Sequence, residues 1–158
     1  MLAFEPDHQL RAEPLPRPEG PVILTVDGAI THTNAPGAAE FDLAMLEQLG
    51  LVRLRSWTPW NEGEADFEGI SAQRLMEAVG ATGSTVQARA LNDYESIIAL
   101  ADFVRYPVLL ATRVDGRQLT VRNKGPIWIV YPWSAHPELD DLPTRRKSVW
   151  QLRSLRVQ

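Results

Sequence analysis

The chain holds 158 residues, 44% hydrophobic and 23% charged, with a net charge of −4, which fits one globular domain with a real core. Acidic and basic residues are interspersed, which excludes a general nucleic-acid binder with a basic face. There is no cysteine, so disulfides, iron–sulfur clusters and cysteine-ligated zinc are excluded, and no apolar run approaches the roughly 20 residues of a membrane helix.

Residues 1–20 carry Pro6, Pro14, Pro16 and Pro18 among charges and read as an extended arm, with one domain over 21–158. Met1 to Pro6 has neither a basic start nor an apolar core, so no signal peptide is legible there. This polar, proline-bearing opening fits the trimmed end of an exported domain, and a periplasmic setting is expected over a cytoplasmic one. Val22–Val26 reads as a strand, and Asp27-Gly28 predicts a hairpin turn into Ala29–Thr33, with loop from Asn34 to Glu40.

Asp42–Gln48 reads as a short helix capped by Asp42. Leu51–Trp57 alternates with period two, a strand ended by Pro59. Ser71–Val79 is the clearest helix, with Ser71 as N-cap and Gly80 as its stop. Strands are expected at Thr85–Leu91 and Ile97–Leu100, and a hairpin over Pro107–Val121 turning at Asp115-Gly116. Ile127–Tyr131 is a short apolar strand, 132–146 a loop, and Val149–Val157 a closing strand. Many short strands with a few short helices and no regular strand–helix–strand repeat predict an α+β, strand-dominated fold.

Five tryptophans are many for this length. Trp128 and Trp150 are assigned to the core, whereas Trp57, Trp60 and Trp133, beside prolines, are expected to be partly exposed. His136, Glu138, Asp140 and Asp141 match no metal-binding spacing and read as a solvated loop, so no metal ligands are assigned. Arg145, Arg146 and Lys147 form a basic run suited to a phosphate or an acidic partner.

Several segments, in order, resemble the sulfite oxidase-like molybdopterin-binding domain: Leu24–Gly28, Arg53–Trp60, Phe67–Ile70 before Leu75–Ala81, Ala90–Ile97, Leu109–Ala111, Gly125–Pro132 and Lys147–Trp150. The resemblance spans roughly 22–157 and implies mixed sheets, molybdopterin as cofactor and oxidoreductase chemistry. That family holds molybdenum through a cysteine thiolate, and Ser56 stands at the corresponding place, with Thr58 as the next candidate in a shifted register. A serine hydroxyl is hard and stays protonated at neutral pH, so it does not replace a soft thiolate in kind.

By the same resemblance Tyr94 falls at the family's active-site tyrosine. Asn92 and Asp93 flank it, on either a polar pocket rim or an Asx-type turn, and Lys147 and Ser148 keep positions able to meet a phosphate. The glycines that let backbone approach a pterin are replaced by Trp133–Glu138. Three readings follow. In the first, the domain has lost molybdenum catalysis and is an accessory, a pseudoenzyme that holds a small ligand or protein partner in a cleft near Ser56, Asn92, Asp93, Tyr94, Arg145 and Lys147. In the second, it is an active pterin-dependent oxidoreductase with a Ser56 alkoxide as ligand. In the third, it is a purely structural interaction module with Trp57 or Trp133 exposed at a partner surface.

Overall fold

The computed structural model describes residues 15–158, so most of the expected arm, 1–14, lies outside the described residues. Two mixed or antiparallel sheets build the domain. The first is ordered β2-β1-β10-β5-β6, from β1 (Leu24–Gly28), β2 (Ala38–Phe41), β5 (Thr85–Ala90), β6 (Glu95–Ala99) and β10 (Leu152–Val157). Its β1–β10 pair is parallel, with Thr25 opposite Ser154, and its other pairs are antiparallel. The second is antiparallel and ordered β3-β4-β7-β8, from β3 (Leu51–Trp57), β4 (Glu64–Ser71), β7 (Leu109–Val114) and β8 (Arg117–Gln118), with β9 (Trp128–Val130) also on β7. Among the described residues four short helices join them: α1 (Leu43–Gln48), α2 (Ala72–Ala78), α3 (Leu100–Arg105) and α4 (Leu142–Lys147).

One apolar core draws on both sheets. Leu24, Val26, Val86, Leu155 and Val157 come from the first, and Phe67, Ile70, Leu110 and Ile129 from the second. In β1, β5 and the end of β10 buried side chains recur at alternate strand positions, which is how a half-buried sheet hides one face. The caps read from the sequence are present: Asp42 accepts the Met45 N–H at 2.8 Å and Ser71 the Arg74 N–H at 3.2 Å. Asp42 also accepts the N–H groups of Glu19 and Gly20, at 3.0 and 2.9 Å, and so ties the end of the arm to α1. These bonds, that from Met45 first and that from Gly20 next, hold its carboxyl below the ordinary aspartate range.

Several elements differ from expectation. Asp27-Gly28 makes no hairpin into Ala29–Thr33: Gly28, at φ +88°, abuts Val157, where a Cβ would lie 2.1 Å from the Val157 carbonyl oxygen. The following Thr31 and His32 N–H groups donate to the end of α2, each 3.0 Å from the Val79 oxygen, and the partner of β1 arrives only at Ala38–Phe41, inside the expected loop. Glu64–Ser71 is an eight-residue strand, and Leu100–Arg105 a helix, that the sequence pattern had not marked. The 132–146 loop contains a 3₁₀ turn at Pro137–Leu139 and helix α4, capped by Asp141 accepting the Thr144 N–H at 2.8 Å. Pro143 sits in its first turn, where proline costs a helix nothing. The closing strand starts at Leu152 rather than Val149, because Gln151 takes φ +52°.

Candidate functional site

A cleft of about 290 Å³ opens where the β5–β6 turn, the C-terminal end of α4 and the lead into β10 converge. Asn92 and Tyr94 come from the turn, Arg145 and Ser148 from α4 and its cap, Trp150 from the lead-in, and Trp60 from the loop after β3. Asn92 Oδ1 accepts the Tyr94 N–H at 3.1 Å, an Asx turn that sets the tyrosine outward. The Tyr94 hydroxyl then donates to the Arg146 carbonyl at 2.8 Å and pins the turn to α4. Ser148 is buried and donates to the Thr144 carbonyl at 2.8 Å. Arg145 Nη2 binds Asp140 Oδ1 at 2.9 Å.

Trp60 and Trp150 meet edge to face, 5.5 Å between centroids, and the Lys124 ammonium stands 4.7 Å from the Trp150 ring centre. Among the described residues four non-glycine residues have positive φ; one of them, Gln151 (+52°), lines this cleft, while Lys124 (+79°) stands over its Trp150 wall and Asp93 (+70°) lies between Asn92 and Tyr94. Gln151 is held so by its N–H to the Lys124 carbonyl at 2.9 Å and its side-chain amide to the Val121 carbonyl at 2.8 Å. Backbone strain kept by surrounding bonds in this way gathers at ligand sites.

Of the residues singled out in the sequence, Asn92, Tyr94, Arg145 and Ser148 thus line one cleft. Ser56, Asp93 and Lys147 are engaged elsewhere. Ser56 has no solvent exposure; its hydroxyl donates to the Trp57 carbonyl at 2.7 Å and accepts the Ser134 N–H at 3.0 Å. Ser134 Oγ in turn accepts the Trp57 N–H at 2.9 Å and donates to Glu64 at 2.7 Å, completing a clasp between the end of β3 and the segment after β9. Thr58 is also buried and accepts the Trp60 N–H at 3.1 Å. Asp93 pairs with Arg153 at 3.2 Å. Lys147 Nζ binds Asp102 Oδ2 at 2.9 Å, and the buried Tyr131 hydroxyl donates to the same oxygen at 2.8 Å. Burial first, and then the Asp102 charge, push the Tyr131 phenol far above its ordinary range, so it stays protonated.

The tryptophans exchange two of their expected places. Trp133 is fully buried, its indole N–H donating to the Leu139 carbonyl at 3.0 Å, while Trp150 is 40% exposed as a cleft wall. Trp133 packs within 6.2 Å of both Trp57 and Tyr131 and 5.8 Å of Trp60. Trp128 is buried as expected, and its indole nitrogen has no partner among the described residues. In the following loop Asp140 serves Arg145, Asp141 caps α4, and His136 approaches Glu138 at 3.4 Å. No group of three or more His, Cys, Asp or Glu among the described residues is placed to hold a metal ion. Lys124, beside the aromatic walls Trp60 and Trp150, carried no local signal of this role.

Residues 39–136, more than half of the chain, match the family model of the oxidoreductase molybdopterin binding domain. The chain therefore belongs to that family, as its collinear segments implied. Its fold is similar to the crystal structure of the sulfane dehydrogenase SoxCD from Paracoccus pantotrophus, with a TM-score of 0.63 at 14% identity. That match covers 85% of this chain and only 37% of the other, so this chain spans well under half of that relative's length. No curated protein matches the sequence.

Proposed function

We propose that this member of the family does not hold molybdenum through its own side chain, and that it acts as an accessory binding domain whose cleft takes a small ligand or a partner segment. The observation that carries the reading is the state of Ser56. Its proton is committed to the Trp57 carbonyl and its lone pair to the Ser134 N–H, in a position without solvent exposure. An alkoxide ligand would lose the first bond, disturb the second and create a buried charge, each at a cost. Thr58 is likewise buried and bonded.

The other donors fit no better. Lys147, the residue suited to a phosphate, is neutralised by Asp102. The cleft is walled by indole rings, and no glycine lines it to let backbone N–H groups approach a cofactor. The residues present do not fit a metal-loaded pterin, and no redox step is assigned to them.

The test is the molybdenum and pterin content of the protein purified from a host that makes the molybdenum cofactor. The expected result is folded protein with neither. Stoichiometric molybdenum with pterin would overturn the reading and make Ser56 the first residue to substitute.

A further inference from the structure

The cleft has a chemical character of its own, and resting on the accessory-binding reading above, we infer that it binds a small planar aromatic monoanion: a carboxylate carried on one or two fused rings. Three sets of observations lead there.

The first is shape. A volume of about 290 Å³ lies at the small end of ligand pockets and leaves room for a compact ring system with a short substituent. Its exposed walls are aromatic: Trp150 is 40% and Tyr94 44% exposed, and Trp60 meets Trp150 at an interplanar angle of 85°. Large rings left open to water on a domain that buries most of its other aromatics offer stacking faces to a flat ligand.

The second is charge. In a chain of net charge −4 the cleft border carries Arg145, whose Nη2 alone is committed, to Asp140, so its other N–H groups remain available. Lys124, over the Trp150 ring, forms no ion pair with a carboxylate among the described residues. Asn92 spends its carbonyl on the turn and keeps its amide donors. The free groups are therefore donors and cations, the complement of an anion. A planar guanidinium fork matches a planar carboxylate.

The third sets the limit on that anion. Arg145 and Ser148 stand at the C-terminal end of α4, where backbone carbonyls, not N–H groups, face outward. The Thr144 and Arg146 carbonyls are the acceptors of Ser148 and Tyr94. A doubly charged phosphate would meet that partial negative charge with Arg145 as the one cation among the lining residues to offset it. Of the other two cations of α4's last turn, Lys147 is bound to Asp102 and Arg146 is not among the residues that line the cleft. One delocalised charge is matched, and two are not.

The experiment is an NMR titration of the full chain, reading the five tryptophan indole N–H signals, on the same preparation assayed for molybdenum and pterin. The probe is quinoline-2-carboxylate. The comparison compounds are its neutral carboxamide, cyclohexanecarboxylate and phenyl phosphate. Saturable shifts of the Trp60 and Trp150 signals are expected with quinoline-2-carboxylate alone, with Trp133 unmoved. Arg145→Gln is expected to weaken binding about tenfold or more, the loss of one charge-assisted bond, and Trp150→Leu to weaken it by a similar factor should the first variant fold poorly. No saturable shift, or equal binding of cyclohexanecarboxylate or phenyl phosphate, overturns the inference. Protein free of molybdenum and pterin that ignores the probe fails the ligand class alone. Protein loaded with both fails the accessory reading, whatever the probe does.

Discussion

Replacing Ser56 by alanine separates a structural hydroxyl from a metal ligand. The substitution removes the acceptor of the Ser134 N–H and the donor to the Trp57 carbonyl, both short bonds at a fully buried side chain. An N–H left without a partner costs about 1–3 kcal/mol, and a lost neutral bond about 0.5–1.5 kcal/mol. Ser134 is half-buried, so water partly satisfies its N–H and the first figure falls toward its lower end. A destabilisation of about 1.5–2.5 kcal/mol follows, which for a domain of this size lowers the melting temperature by roughly 3–10 °C. Urea unfolding followed by tryptophan fluorescence reads the change directly, with an unchanged denaturant slope marking an intact two-state transition. Ser56→Ala within about 0.5 kcal/mol of the parent, or a loss of bound molybdenum in the variant, would refute the reasoning.

Two further outcomes are expected. Asp42 has its folded pKa held below the ordinary value of 3.8 by three N–H donors. Its contribution to stability is thus complete above that value and is lost as pH falls through the lower, folded value. Asp42→Asn keeps a capping side chain but removes this titration, so the acid limb of stability against pH should flatten; an unchanged limb would assign acid sensitivity elsewhere. The two exchanged tryptophans should differ sharply: Trp133→Ala, fully buried and hydrogen-bonded, should cost about 3–5 kcal/mol, and Trp150→Ala, a cleft wall, clearly less in the same urea assay.

Local signals carried the fold where they determined the backbone by themselves. Asp115-Gly116 turns a hairpin because both residues take positive φ, +51° and +80°, the conformation an Asp-Gly pair favours. The same pair at 27–28 does not, because Gly28 answers to a contact with Val157 at the far end of the chain. Asp42 and Ser71 announced their helices by capping them, whereas Asp141, which caps α4, reads as loop in the sequence. The proline and acidic residues around Asp141 read equally as loop, and only Pro143 in the first turn reconciles them with a helix.

The site divides along the same line. Asn92, Tyr94 and Ser148 were legible because an ordered set of family segments placed them, and Arg145 because it opens a basic run; the Tyr94–Arg146 bond across 52 residues is what brings them together. Lys147 was legible as a cation but not as one already neutralised, since its partner Asp102 lies in a helix the pattern did not mark. Trp150 and Trp133 differ in exposure through tertiary placement alone: one precedes β10 beside a strained Gln151, the other lies beneath the clasp made by Ser56 and Ser134. The Ser56 hydroxyl fastens the end of β3 to the segment carrying Trp133, and Trp133 packs on Trp60, a wall of the cleft. A hydroxyl committed to this clasp is poorly placed to serve as a metal ligand as well.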